Sequence, residues 1–245
     1  MAKVYSIFYL NLMYSAISIE ERLNVINSCY WPLLKLIDNG YKIGVQISGI
    51  TLEIIQQLDP NWIKEFRRLL KDEKCELIGN GYTQIIAPLV PYSMNKKNLE
   101  IGNETYFKIL GTIPEIMTIN EMAYSSGIID LFSEMGFKGA LMEWNNSAKF
   151  NTSWNINWEN YPQRVNVTNH DEGFPIIWIN SIVFQKLQRY VHSHNSLDDY
   201  NKFLSQKLEL VDDGICCIYA SDTEIFDYRP RRYKDEGSFS RKSEW

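Results

Sequence analysis

Pro114-Glu-Ile-Met-Thr-Ile-Asn-Glu-Met-Ala-Tyr124 is the stretch on which the fold turns. Ile116 to Ile119 is an apolar run of strand length, and it ends on Asn120 and Glu121. A helical pattern begins almost at once, at Ser125 and Ser126. An apolar strand that delivers a carboxylate at its carboxyl end, just before a helix, is how a β/α barrel presents a catalytic group. A second stretch has the same form: Ile215-Cys-Cys-Ile-Tyr-Ala-Ser221 runs into Asp222-Thr-Glu224. The expectation is that Glu121 and Asp222 face one another across a pocket.

Outward from these stretches, strand and helix patterns alternate. Strands are predicted at 4–10, 42–47, 75–78, 116–119, 138–144, 174–180 and 215–220. Helical spacing follows the first strand, with apolar residues at Leu23, Ile26, Tyr30, Leu33, Leu34 and Ile37. Ser18 and Glu21 have the spacing of a capping box for that helix. Asn39-Gly40 stops it, since glycine is the usual residue just past a helix. Asp59-Pro60 starts another, with an acidic N-cap and proline at the first helical position. A long helix from Ser93 to about Leu110 precedes the Glu121 strand. Such alternation predicts a parallel sheet covered by helices. The fold class is α/β, a seven-stranded parallel β/α barrel (distorted, TIM-like) in a single domain over 1–245. The segment 145–173 is rich in Asn and Trp and lacks periodicity, so it reads as a long functional loop or lid. Residues 229–245 read as a tail.

The totals narrow the function. With 245 residues, 45% hydrophobic and 22% charged, the chain can bury one large core. A net charge of −5 without a dense Lys/Arg block argues against nucleic acid. The short Arg229-Pro-Arg-Arg232 run reads as solvated surface or a local ion pair. Cys29, Cys75, Cys216 and Cys217 form no C-x-x-C pair, so neither a zinc site nor a thioredoxin-like site is indicated. No apolar run reaches the ~18 residues of a membrane span, and no signal-type segment opens the chain. The expectation is a cytoplasmic protein that binds no nucleic acid or membrane, with its oligomeric state left open.

Paired carboxylates suit glycosidic bonds, whose leaving alkoxide is poor and whose transition state is cationic. One carboxyl protonates the leaving oxygen, and the other attacks the anomeric carbon or activates a water that does. In the retaining version they lie about 5–5.5 Å apart. Glu121 fits the nucleophile and Asp222 the acid, then base, with Glu143 and Glu224 as rivals for the acid role. The bland readings stand beside these. Glu121 can be a surface charge or a cap, and Asp222 can cap the turn after it. Tyr82, Trp144, Trp178 and Tyr219 can stack on sugar rings or simply fill the core.

Four motifs in order carry a family resemblance: Tyr9-Leu-Asn-Leu-Met-Tyr-Ser15, Gly79-Asn-Gly-Tyr-Thr-Gln84, Ile119-Asn-Glu-Met-Ala-Tyr124 and Ala220-Ser-Asp-Thr-Glu-Ile-Phe226. Together they resemble the amino-terminal catalytic domain of glycoside hydrolase family 57, in its shorter bacterial branch. The resemblance covers nearly the whole chain. It implies a seven-stranded β/α barrel, a retaining mechanism on α-linked oligosaccharides or polysaccharides, and no metal or other cofactor for the chemistry. Glu121 matches the family's nucleophile and Asp222 its acid/base. Tyr9, Asn11, Tyr82, Gln84, Glu143, Trp144, Trp178 and Glu224 are the expected substrate contacts. The chain departs from the family where the first motif carries H-x-H, because Tyr9 and Asn11 stand there. Family members also carry a helical domain after the barrel, whereas this sequence ends at Trp245.

Two other classes compete. A metal-dependent polysaccharide deacetylase needs an Asp pair near the first strand and an H-x-x-x-H pair to hold the metal that activates water. The histidines here are His170, His192 and His194, and none follows an early strand. His192-Ser-His194 reads instead as a helix end, where positive charge is favoured. The third class is a non-catalytic carbohydrate-binding descendant of the same fold.

Overall fold

The computed structural model describes residues 3–168, 170–211, 214–228 and 243–245. In chain order the strands are β1 (Lys3–Leu10), β2 (Ile43–Ile47), β3 (Cys75–Gly79), β4 (Ile116–Thr118), β5 (Gly139–Glu143), β6 (Gln163–Val167), β7 (His170–Ile179) and β8 (Ile215–Asp222). The helices are α1 (Arg22–Val25), α2 (Trp31–Asp38), α3 (Gly49–Leu58), α4 (Pro60–Lys71), α5 (Tyr92–Leu110), α6 (Ser126–Glu134), α7 (Trp144–Phe150), α8 (Ser181–Val191) and α9 (Leu197–Glu209). A π-helical turn, Ile26–Tyr30, joins α1 to α2. The strand-then-helix alternation predicted from the sequence is therefore present. The Arg229–Arg232 run lies outside the described residues.

The described chain forms two compact units. The first takes Met1–Ile7, Ile85–Lys97 and Glu115–Ser221; the second takes Phe8–Gln84, Asn98–Pro114 and Asp222–Trp245. In the first unit β4 pairs in parallel with β5 (Ile116 opposite Gly139, Thr118 opposite Leu141), and β5 pairs in parallel with β7. β4 and β5 are almost wholly buried, as strands covered on both faces are, while β7 starts exposed at Asp171 and Glu172 and is buried towards Ile179. β6 runs antiparallel to β7, and it is the strand the sequence reading lacked. In the second unit β2 and β3 pair in parallel, from Ile43 opposite Cys75 to Ile47 opposite Gly79.

Local chemistry explains most of the boundaries. Asp59 caps α4 by accepting from the Asn61 and Trp62 N–H groups, with Pro60 at the first helical position. Gly40 adopts φ +100° after α2, where Tyr41 N–H donates to Leu36 O and Gly40 N–H to Ile37 O. That double bond is the Schellman closure predicted from Asn39-Gly40. The capping box expected from Ser18 and Glu21 is not formed. α1 begins at Arg22, with Glu21 at its N-cap and no side-chain cap. The residues before it form turns held by main-chain bonds such as Glu21 N–H to Ser18 O, 3.1 Å.

The segment expected to be an irregular loop is structured. Residues 145–173 contain most of α7, a 3₁₀ turn at Ile156–Asn160, β6 and the start of β7. Its tryptophans tie it to the rings at its borders, Trp144 and Trp178. Trp154 packs at 5.8 Å from Trp144 and 5.9 Å from Trp178, and Trp158 lies 6.2 Å from Trp154. The end of the chain is likewise tied down. Trp245 packs on Phe226 (4.9 Å) and Phe8 (5.9 Å), while Ser243 and the Glu244 N–H bond to Asp227. None of the described helices is long and apolar enough to cross a membrane.

Candidate active site

Glu121 sits in the first unit, at the turn that follows β4. Ile119 is buried and ends the apolar run, and Asn120–Met122 closes a single 3₁₀ turn. Asn120 anchors that turn by donating from Nδ2 to Ile85 O at 3.1 Å. Glu121 and Met122 both adopt φ +52°, the left-handed region that costs a side chain with a Cβ about 1 kcal/mol or more. Such strain on successive non-glycine residues persists where surrounding contacts enforce it. Here it turns the Glu121 side chain outward. Glu121 is exposed, and among the described residues its carboxylate makes no hydrogen bond or ion pair.

Glu143 ends the neighbouring strand, β5, and is only 4% exposed. Its carboxylate caps α7, accepting from the Asn145 N–H at 2.9 Å and the Asn146 N–H at 2.6 Å. It also accepts from Asn145 Nδ2 at 2.8 Å and from Ser181 Oγ at 2.7 Å. These bonds occupy both oxygens. Glu143, expected as a rival acid or a sugar contact, is thus held as a helix cap. Trp144 and Trp178, expected to stack on sugar rings, are 4% and 8% exposed and pack edge-to-face at 5.2 Å. Tyr219 is fully buried. Large rings find more apolar area in the core than at a rim, so these three serve packing.

The second unit gathers a different set. Asp222 ends β8, and Thr223–Ile225 forms a 3₁₀ turn. Glu224 on that turn is 2% exposed. Its Oε1 accepts from the Asn11 main-chain N–H at 2.8 Å and from the Tyr30 hydroxyl. Asn11 also donates from Nδ2 to Gln84 Oε1 at 3.0 Å. Asn11, Gln84, Glu224 and Tyr30 therefore form one hydrogen-bonded chain running from exposed Gln84 to fully buried Tyr30. Burial, together with the negative charge of Asp222, pushes the Glu224 carboxyl up to about 7 against the pull of its two donors. Burial and the facing Glu224 hold the Tyr30 hydroxyl well above the ordinary phenol range.

Gln84 reaches Asn11 because the loop before it is pinned. Gly49 N–H donates to Gly81 O, Ile50 N–H to Tyr82 O, and Tyr82 N–H to Asn98 O, all near 3.0 Å. Thr83 N–H donates to Asn98 Oδ1 at 2.8 Å. Gly102 of α5 allows the loop this close, since a Cβ there would stand 2.7 Å from the Gly81 carbonyl carbon. The half-buried Tyr82 donates its hydroxyl to Glu53 at 3.0 Å, and that bond holds the hydroxyl protonated above the ordinary phenol range. Tyr9 is half-buried in β1.

Sequence reasoning missed Tyr30, which it read only as an apolar helix position. The π-helical turn is what presents its hydroxyl to Glu224, and no motif signals such a turn. For the metal-dependent alternative, the described residues bring together no group of three or more His, Cys, Asp or Glu placed to hold a metal ion. His192 caps the carboxyl end of α8, as its spacing predicted.

The model of glycosyl hydrolase family 57 matches residues 5–241, and the chain belongs to that family. A protein of Methanocaldococcus jannaschii, provisionally named an alpha-amylase, is 26% identical over 125 residues, covering 49% of this chain and 27% of that protein. The 4-alpha-glucanotransferase of Thermococcus litoralis superposes with a TM-score of 0.75 at 15% identity, over 96% of this chain and 36% of that one. The family 57 branching enzyme of Pyrococcus horikoshii superposes with a TM-score of 0.72 at 14% identity, over 93% and 64%. This chain thus spans about a quarter of the first of these proteins and about a third and two-thirds of the others. At such identities the two structures speak to the fold alone, and that fold is the α/β one expected from the sequence.

Proposed function

We propose that this chain is the catalytic barrel domain of a retaining glycoside hydrolase or transglycosidase acting on α-linked glycans. Glu121 is its nucleophile and Asp222 its acid, then base. In the first step a Glu121 carboxylate oxygen bonds to the anomeric carbon while the bond to the leaving oxygen breaks, and Asp222 gives that oxygen a proton. In the second, Asp222 takes a proton from water or an acceptor hydroxyl. The freed oxygen attacks the anomeric carbon and releases Glu121. The observation that carries the reading is Glu121 itself: an exposed carboxylate, unpartnered among the described residues, on a strained turn at the end of a buried strand. Glu73 after α4 is also exposed at positive φ, but Glu121 and Met122 hold it on two successive residues, and strain of this kind gathers at working sites. Family membership supports the reaction class, and the Methanocaldococcus jannaschii relative provisionally named an alpha-amylase supports α-glucans as the substrate.

A fluorosugar that traps the glycosyl-enzyme tests this directly. The protein is incubated with the reagent, then digested and mapped by mass spectrometry. The expected result is one added glycosyl group on the peptide holding Glu121. A label on another carboxylate overturns the nucleophile assignment, and inverted product stereochemistry overturns the mechanism. Asp222→Asn should keep much of its rate on substrates with good leaving groups, which need little protonation. Equal loss on good and poor leaving groups overturns the acid role.

A further inference from the structure

Glu224 is buried two residues beyond Asp222, on the turn that begins at the end of β8. A carboxyl in that position has two choices: to hold a proton, or to keep its charge and bind donors. Burial favours the first, and the hydrogen-bond geometry pulls towards the second. Two donors from distant parts of the second unit converge on the same oxygen, Oε1: the Asn11 N–H at 2.8 Å and the Tyr30 hydroxyl. Donors bound to Oε1 stabilise the charged form more than the neutral one, in which the proton would sit on Oε2. The Asn11 donor is main chain, so no side-chain substitution removes it. The Tyr30 donor is a single hydroxyl on a fully buried ring, wedged 6.2 Å from Trp62 and presented by the π-helical turn.

We propose that Tyr30 is a positioning residue for Asp222, holding Glu224 charged beside it so that Asp222 keeps its proton until the leaving oxygen takes it. This rests on the proposal that Asp222 is the acid. The physical link is charge on charge. An ionised Glu224 disfavours a second negative charge on Asp222 and so delays its ionisation as pH rises. The groups acting on Glu224 are Asp222 at the end of β8, the Asn11 main-chain N–H and Tyr30 from the π-helical turn. Burial and the charges of Glu224 and Asp227 hold the adjacent Cys29 thiol protonated, its sulfur donating to Phe226 O at 3.1 Å. Cys29 therefore adds no charge of its own. Burial alone pushes Glu224 toward the neutral form, and the Tyr30 hydroxyl counters it.

The test uses Tyr30→Phe, which keeps the ring and removes only the donor, and Glu224→Gln, which removes the charge outright. Carbon-13 NMR of labelled Asp and Glu carboxyls follows both groups in the full chain, with the kcat/KM pH profile on an α-glucan measured beside it. In Tyr30→Phe the Glu224 titration should move up by about one pH unit, and the Asp222 titration should move down. The falling, alkaline limb of the rate profile should follow Asp222 to lower pH. Glu224→Gln should lower the Asp222 titration further. A role confined to packing predicts lower stability with both titrations and the alkaline limb unmoved, and that result overturns the proposal. So does a Glu224 shift with no response at Asp222. If instead the titrations move together while the rate profile ignores them, the link between Tyr30 and Asp222 stands, and the acid role of Asp222 is what fails.

Discussion

Glu121 and Glu143 end neighbouring parallel strands of the same unit, and a sequence reader meets them as equals. Each follows an apolar run, and each precedes a helix. In the structure they are opposites. Glu143 is buried, and its two oxygens are filled by two main-chain N–H groups, an asparagine amide and a serine hydroxyl. Glu121 is exposed, accepts no hydrogen bond among the described residues, and holds a backbone conformation that its residue type resists. A carboxylate saturated with donors is a structural part, because any substrate atom would have to displace them. A carboxylate kept open at a cost in strain is available for chemistry. The lesson is that position at a strand end nominates a carboxylate, and the count of its donors decides what it does.

The largest expected effect is on turnover. Glu121→Gln should lower kcat on α-glucans by about 10³-fold or more, roughly 4 kcal/mol of barrier, with the thermal midpoint unchanged. A variant that keeps wild-type turnover breaks the comparison at once. Glu143→Ala should do the reverse. Loss of the cap leaves buried N–H groups unpaired, for a cost of about 3 kcal/mol in stability. Activity per folded molecule should stay near wild type, measured by turnover against the folded fraction from denaturant titration.

Glu224 sharpens the comparison, being a buried strand-end carboxylate with fewer donors than Glu143 and a like charge beside it. Its folded value of about 7 lies above the ordinary 4.5. The stabilisation linked to the protonated form is thus complete below about pH 4.5 and is lost as pH rises through about 7. The thermal midpoint should fall across that window, and Glu224→Gln should flatten the fall by roughly 5 °C. A variant that keeps the wild-type slope places the titration elsewhere. The smallest effect concerns strain at Glu121 itself. Asparagine tolerates a left-handed backbone better than glutamate does, so Glu121→Asn should gain about 0.5 kcal/mol while losing turnover. Calorimetry would show this as a rise of about 1–2 °C, and a fall would show that the turn is not strained.

Much of the fold was legible because its signals are local. Asp59-Pro60 and Asn39-Gly40 act within one turn of a helix, so the residues alone announce the boundary. The alternation of apolar runs with helical spacing placed the other seven strands, and β6 escaped because its five residues are only partly buried. The 145–173 segment looked irregular because its tryptophans are organised by contacts with one another and with Trp178, not by a repeating spacing. At the candidate site the motifs pointed to Asn11, Gln84 and Glu224, which the fold brings together. The aromatic candidates Trp144 and Trp178 were the weaker reading, since ring size marks both stacking platforms and core.

By itself the sequence determined where carboxylates fall relative to strands, because strand ends and helix starts are written in neighbouring residues. Tertiary structure alone decided which of those carboxylates stays open. For Glu143 the cap donors Asn145 and Asn146 are local and Ser181 adds a distant one at a separation of 38 residues, whereas for Glu224 the donors Tyr30 and Asn11 come from 194 and 213 residues away. A hydrogen bond acts over about 3 Å, so no spacing within one motif can reveal a partner that only folding delivers.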